Sequence, residues 1–303
     1  MSLSTDTIGV VVVTFRRQVQ LQRTLKAILG QGILGHHIWV INNDKNDNLD
    51  YLKNEIGLDL LNIIVSEENI ASAGGFALGM KCVLEKGLDW VWLFNDDSRP
   101  IEGSLESILR YKEILEKPRA GMVKLANLNA KGEAILQFWK GRRFPKYVPV
   151  SNDLIKTDLI TFDGCLISSN LIREIGTCDP KYFMGTYEFD YCLRAKDHEF
   201  EIFTLPNGLI EDEKAGSIGG TPPWRQYYNT RNHLWLGLNR RSAKTVLAWL
   251  VRELKFTYAI LRWEDKKGER LKIKVLATWH ALRGKRGKTL DPILFSNGTK
   301  NLN

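Results

Sequence analysis

An α/β fold built on an open, mostly parallel sheet is what this 303-residue chain predicts, and three observations predict it. Apolar, β-branched runs alternate with segments of helical periodicity through residue 119. Each of those runs ends in a polar cluster, and ligands bind such sheets outside the carboxyl ends of the strands. The composition, 44% hydrophobic and 26% charged, is that of a globular chain and excludes disorder, collagen-like repeats and a polytopic membrane protein.

Ile8 to Phe15 is a continuous apolar run with no basic residue before it, so it reads as a strand buried on both faces and not as a signal peptide. Leu21, Leu25, Ile28 and Leu29 recur at helical spacing, and Gly30 and Gly32 stop that helix. His37 to Ile41 is the second strand and runs into the polar loop from Asn42 to Asn48. Asn62 to Val65 is a short third strand. A glycine turn at Ala73, Gly74 and Gly75 then opens a helix carrying Phe76, Met80, Val83 and Leu84. Asp89 to Phe94 is a further strand and ends at Asn95, Asp96 and Asp97.

Beyond about residue 120 the alternation fades. Gln137 to Trp139 and Gly141 to Pro149 read as a loop or insertion. Phe162 to Ser168 reads as a strand, followed by a short helix that stops at Gly176. Glu188 to Lys196 reads as a helix and Phe200 to Leu205 as a strand. Ala243 to Trp263 and Leu271 to Leu282 read as basic amphipathic helices of the kind that lie in a membrane interface.

The formal charge of +8 is unevenly placed: residues 237–303 hold 16 Lys/Arg against 5 Asp/Glu, and residues 1–236 hold 27 against 30. The basicity therefore belongs to the tail. Cys82, Cys165, Cys178 and Cys192 lack the short paired spacing of a zinc site and are too few for a disulfide scaffold, which fits a reducing, cytoplasmic compartment.

Four segments can carry chemistry. Asp96 and Asp97 are adjacent carboxylates at a strand end, which repel unless a cation lies beside them. Glycines at the opening of a helix let backbone N–H groups approach an anion, although the spacing is not that of the dinucleotide fingerprint. Asp190 and Arg194 stand at i, i+4 and pair, while Glu188 lies on another face of the first turn and can point into a cleft as a general base. Asp212, in the acidic segment Leu209 to Lys214, offers a further oxygen to a metal.

Taken together, the Val12–Arg17 segment, the Asn-Asp loop, Asn69 with Ala73 to Gly79, Asn95 to Asp97, Glu188 to Arg194 and Arg225 to Asn232 resemble glycosyltransferase family 2. The likeness spans roughly residues 8–235. It is greatest to the bacterial galactofuranosyltransferases, with the rhamnosyltransferase branch second. The resemblance implies a GT-A fold over residues 1–236, with a nucleotide-sugar-binding half at 1–119 and an acceptor and catalytic half at 120–236, followed by a basic helical region at 237–303. It also implies an inverting transfer from UDP-galactofuranose, or from dTDP-rhamnose as the alternative, to a polysaccharide or lipid-linked glycan.

Carried onto this chain, the resemblance puts Thr14, Phe15, Arg17 and Asn42 or Asn43 around the nucleoside, and Gly74 and Gly75 along the donor. Asp96 joins the donor site, and Asp96, Asp97 and Asp212 become ligands of Mg2+ or Mn2+. Glu188 is then the base, and Arg231 lies near the diphosphate or braces the site. Two departures are visible: Asn95 replaces the first of three consecutive aspartates, and Asp212 stands where a ligating His is common.

The expected location is the cytoplasmic face of the membrane, with the basic tail on anionic lipid. Phe138, Trp139, Tyr147, Trp224, Tyr227 and Tyr228 are candidates for stacking on acceptor sugars. A nucleic-acid partner is disfavoured by the net-acidic body and a Rossmann oxidoreductase by the missing glycine fingerprint. A nucleotidyltransferase would share the sheet and the carboxylates.

Overall fold

The computed structural model describes residues 1–52, 56, 60–212 and 222–291. Glu213 and Lys214 of the acidic segment, and 292–303 of the basic region, lie outside the described residues.

In chain order the strands are β1 (Ile8–Thr14), β2 (Ile38–Asn42), β3 (Asn62–Val65), β4 (Trp90–Asn95), β5 (Ser98–Pro100) and β6 (Ala120–Leu125). They continue with β7 (Ala134–Trp139), β8 (Arg143–Val148), β9 (Ile155–Lys156), β10 (Cys165–Ser168), β11 (Glu201–Leu205) and β12 (Ile210–Asp212). The helices are α1 (Gln18–Leu29), α2 (Ala71–Glu85), α3 (Ser104–Leu109), α4 (Lys112–Leu115) and α5 (Ser169–Ile175). After them come α6 (Tyr187–Asp197), α7 (Pro223–Asn239), α8 (Ala243–Trp263) and α9 (Lys267–Leu282).

The central sheet has the order β3-β2-β1-β4-β10-β6-β11-β9. β3, β2, β1 and β4 are mutually parallel, β10 runs antiparallel between β4 and β6, and β11 is parallel to β6. This is the mixed, mostly parallel α/β architecture that the strand and helix alternation predicts.

β1 is buried along its whole length because both of its faces are covered. Val10 and Val12 pack with Leu21, Leu25 and Ile28 of α1 on one face, while Val11 and Val13 pack with Phe76, Met80 and Val83 of α2 on the other. Two glycines let α2 lie close to β1. A Cβ on Gly75 would come within 2.7 Å of a Val13 methyl, and one on Gly79 within 2.2 Å of a Val11 methyl. Gly74 is closed in the same way by Ile70. Of the two glycines expected along the donor, Gly75 thus seats α2 on β1, and Gly74 packs against Ile70 at the start of α2.

Two stretches depart from the sequence reading. β6 is buried throughout although it carries Lys124, whose charge interrupts the apolar run and hides the strand in the sequence. The stretch read as a loop is the β7–β8 hairpin, paired from Ala134↔Val148 to Trp139↔Arg143. Its tip turns on Gly141 at φ +74°, and it tolerates Pro145 because a two-stranded ribbon is all edge.

The boundary expected after residue 236 falls inside α7. α8 and α9 both pack on α7, and Glu253 of α8 is the buried knot between them. It accepts from Thr230 at 3.1 Å and pairs with Arg252 at 2.8 Å and Lys274 at 3.0 Å.

Substituting Gly79→Ala should destabilise the protein. Overpacking costs about 1–3 kcal/mol, which exceeds the roughly 1 kcal/mol that alanine adds in a helix. Gly268→Ala in α9, where a Cβ meets nothing within 4 Å, should instead be neutral or stabilising. Urea midpoints of the two variants with opposite signs would establish the close approach of α2; equal midpoints would refute it.

Candidate active site

Two cavities open at the carboxyl ends of the strands. The first, about 360 Å³, is bounded by Thr14, Phe15 and Arg17 after β1, Asn43 after β2, Asn95, Asp96 and Asp97 after β4, and Ser72 at the start of α2. The second, about 380 Å³, is bounded by Glu188 and Phe189 of α6, Trp139, Arg142 and Arg143 of the hairpin, His233 of α7 and Arg252 of α8.

Asp96 is 5% exposed. One of its oxygens accepts from the Thr14 hydroxyl at 2.9 Å and the Phe15 N–H at 3.2 Å, and the other faces the Arg17 guanidinium at 3.3 Å. Burial pushes its pKa up to about 6, against the pull of Arg17. With both oxygens engaged, Asp96 ties the end of β4 to the turn after β1, and it also bounds the first cavity. Asp97 is more exposed and pairs with the same guanidinium.

Asn43 is 3% exposed, and its amide N–H donates to the Ala71 carbonyl at 3.2 Å. Its carbonyl oxygen is buried with no partner among the described residues, an orphaned acceptor beside the first cavity. Asn42 is different: its side chain closes its own loop, donating to the Asp47 carbonyl at 2.9 Å and accepting from the Asp44 N–H at 3.0 Å. It does not bound the first cavity.

Asp163 was not anticipated; it bounds neither cavity, but it contacts Asn95 of the first and acts electrostatically on Glu188 of the second. Its carboxylate accepts from the Asn95 side chain, and its backbone carbonyl accepts from the buried Lys124 ammonium. Burial raises its pKa to about 6, and the charges of Asp212 and Asp97 act in the same direction while Lys124 opposes them. Glu188 accepts the Phe162 N–H at 3.2 Å, and its pKa rises to about 7 through burial and the neighbouring Asp163. The signal available in the sequence was the Asp163-Gly164 turn before an apolar strand, with Gly164 at φ +71°.

Asp212 lies opposite Ser98 in the β12–β5 ladder, one residue beyond Asp97. Its oxygens accept from Ser98 at 2.9 Å and from Asn127 at 2.6 Å. Among the described residues no group of three or more His, Cys, Asp or Glu side chains is arranged to hold a metal ion.

Arg231 does not bound either cavity. It is 1% exposed and donates to the Gly287 carbonyl at 2.8 Å, the Thr289 hydroxyl at 2.6 Å and the Tyr182 carbonyl at 3.1 Å. Its charge is balanced by carbonyls and by the faces of Tyr227 and Tyr228, a bracing role. Of the stacking candidates, Trp139 and Trp224 reach the cavities. Tyr227 and Tyr228 are buried in the α7–α9 seam, and Tyr147 is exposed on the hairpin. Asp190 and Arg194 pair at 3.0 Å, as their spacing predicts.

Of seven non-glycine residues at positive φ among the described residues, four lie in or beside the site, and Glu199, Arg241 and Lys266 lie elsewhere. The four are Arg16, Ala71, Phe183 and Thr186. Such residues cost about 1–3 kcal/mol each and persist where surrounding structure holds them for function.

Residues 9–175 match Glycosyl transferase family 2. A curated relative, galactofuranosyltransferase GlfT1 from Mycolicibacterium smegmatis, is 27% identical over 59% of this chain, which spans 62% of that relative's length. The dTDP-rhamnosyl transferase RfbF from Shigella flexneri is 23% identical over 90% of this chain and 95% of its own. The crystal structure of GalNAc-T7 with UDP, GalNAc and Mn2+ superposes with a TM-score of 0.61 at 13% identity, covering 97% of this chain and 56% of that one. A sheet of this order, with its polar clusters at the strand ends and a family match over more than half of its length, makes this chain a member of glycosyltransferase family 2 with the GT-A fold.

Proposed function

We propose that this glycosyltransferase moves galactofuranose from UDP-galactofuranose onto a hydroxyl of a cell-envelope polysaccharide or lipid-linked glycan, with inversion. The observation that carries this reading is a pair of cavities, one bounded by the polar strand ends and suited to a nucleotide, the other presenting Glu188 with a raised pKa, while Asp163 bonds Asn95 of the first and acts electrostatically on Glu188 of the second. The orphaned Asn43 oxygen suits the imide N–H of a pyrimidine base. Rhamnose from dTDP-rhamnose is the second reading, favoured by the near full-length match to a dTDP-rhamnosyl transferase.

A divalent cation fits the site in a specific way. Magnesium is commonly held by one or two carboxylates plus substrate phosphates, so a protein cage of three ligands is not required. Asp97 and Asp212, hard oxygen donors on paired strand segments, are the residues that would hold it. Both raise the proton affinity of Asp163, the mark of excess negative charge. When bound, the cation supplies charge stabilisation to the departing diphosphate. Arg17, already paired with Asp96 and Asp97, lies where it can turn to the same phosphates.

Glu188 removes the proton of the acceptor hydroxyl as the oxygen attacks the anomeric carbon. A base with a pKa of about 7 is half ionised near neutrality and still strong enough to accept the proton.

The tail suits a membrane surface. The outer face of α8 exposes Leu247, Leu250, Leu254, Leu261 and Trp263, with Lys244, Lys255 and Arg262 beside them. No helix of the described residues is long and apolar enough to cross a membrane. Removing the tail is a poor test because α8 and α9 complete the seam with α7, so acidic substitutions of exposed leucines on the outer face are used instead. Leu250→Glu with Leu254→Glu should abolish co-sedimentation with phosphatidylglycerol vesicles and leave the thermal midpoint unchanged; retained sedimentation would refute the surface.

Glu188→Gln should lower kcat by about 10²–10⁴-fold with UDP affinity unchanged, measured with a panel of nucleotide sugars; full turnover would remove Glu188 from the base role. In the parent enzyme the rate should fall about tenfold per pH unit below about 7 and level off above it, because only the ionised carboxylate accepts a proton. Asp97→Asn should make UDP binding insensitive to Mg2+ or Mn2+ in calorimetric titrations, and persistent metal dependence would count against that ligand.

A further inference from the structure

The second cavity is more basic than a neutral glycan requires. Arg142, Arg143 and Arg252 bound it, with Glu188 as the one carboxylate among its lining residues. Arg252 is committed to Glu253 at 2.8 Å and to the Asn229 carbonyl at 2.9 Å. Arg142 and Arg143 are exposed, adjacent in sequence, and form no ion pair with any described residue. His233 adds no charge. Burial and the nearby Arg252 push its pKa down to about 4, and its neutral Nε2–H donates to the Gly141 carbonyl at 2.9 Å.

That hydrogen bond, together with close packing on α8, fixes the hairpin tip. A Cβ on Gly141 would lie 2.6 Å from the Lys244 carbonyl oxygen, so the tip is held against the helix and both guanidiniums are carried on a fixed turn at the cavity mouth. Trp139 and Phe189, with ring centroids 6.3 Å apart, form an apolar wall beside Glu188 that suits the C–H face of a sugar ring. Two like charges on neighbouring residues repel, and a single anionic group at hydrogen-bonding distance from both relieves that repulsion with charge-assisted bonds.

We propose that the acceptor carries an anionic group next to its reacting sugar, a phosphate ester or a carboxylate, and that Arg142 and Arg143 read this charge and so set acceptor specificity. This rests on the transferase reading, in which Glu188 faces the acceptor. An anion seated on the hairpin places the neighbouring ring against Trp139 and Phe189, with a hydroxyl directed at Glu188.

The test uses full-length protein saturated with UDP, so that the first cavity is filled. Galactose 1-phosphate, galacturonate and methyl galactoside are titrated by calorimetry. At least one anionic sugar should bind about tenfold or more tightly than the methyl galactoside. A preference for the phosphate would point to a phosphate-linked acceptor and a preference for the uronate to an acidic glycan. The Arg142→Gln, Arg143→Gln double variant should lose that preference, with UDP affinity and thermal midpoint unchanged. Equal affinities for charged and neutral sugars, no binding of any of them, or a preference that survives the double substitution would overturn the proposal. A failure of UDP itself to bind would instead bring down the transferase reading, so the two failures are distinguishable.

Discussion

Asp96 holds together the end of the sheet on which everything else is arranged. A carboxylate at 5% exposure is costly unless its oxygens are satisfied. Here the Thr14 hydroxyl, the Phe15 N–H and the Arg17 guanidinium satisfy them. Those three donors lie within four residues where β1 gives way to α1, so the interaction locks that turn to the end of β4. The Thr24 hydroxyl of α1 adds to this by donating to the Asp96 carbonyl at 2.9 Å. With Asp96 engaged, the next residue projects onward, and Asp97 faces the cavity. Both aspartates bound the first cavity, Asp96 buried and fully hydrogen-bonded, Asp97 more exposed.

A second constraint is electrostatic. Asp97, Asp163, Asp212 and Glu188 form a chain of carboxylates in which the fields of Asp97 and Asp212 act on Asp163, and that of Asp163 acts on Glu188. Lys124 is the buried cation that offsets part of this charge, and it explains why a lysine is tolerated in a strand at 3% exposure. Asp163 is thus the carboxylate on which the charges near the first cavity and the carboxylate of the second both act.

The front of the chain was legible because its signals are local. β1, α1 and β2 follow from uninterrupted apolar runs and helical spacing, and they carry Thr14, Phe15, Arg17 and Asn43 to one cavity. What escaped was non-local. Lys124 conceals β6, and the hairpin that brings Arg142 and Arg143 to Glu188 reads as a loop because Gly141 and Pro145 punctuate it. Asn42 and Asn43 are indistinguishable as neighbours in a polar loop, and only the strand pleat decides which one faces the cavity. The glycines at 74 and 75 suggest in the sequence a freedom to approach a ligand, while the fold adds a packing role that no local signal shows, against Ile70 and Val13.

The basic tail, which in the sequence looks like an appendage, is tied to the catalytic loop through Arg231 and Asn232. Arg231 donates to the Tyr182 carbonyl, and Asn232 donates to the carbonyls of Tyr182, Met184 and Gly185 at 3.0, 2.7 and 3.2 Å. The other end of Arg231 grips Gly287 and Thr289, and the Gly287 N–H donates to the Lys181 carbonyl at 2.6 Å. The segment held in this way leads directly into Thr186 and Glu188. Phe183 and Thr186 lie at positive φ within it, a conformation that needs such over-determination to persist. The contacts that pin the tail to the body are thus the contacts that hold the segment leading into Glu188.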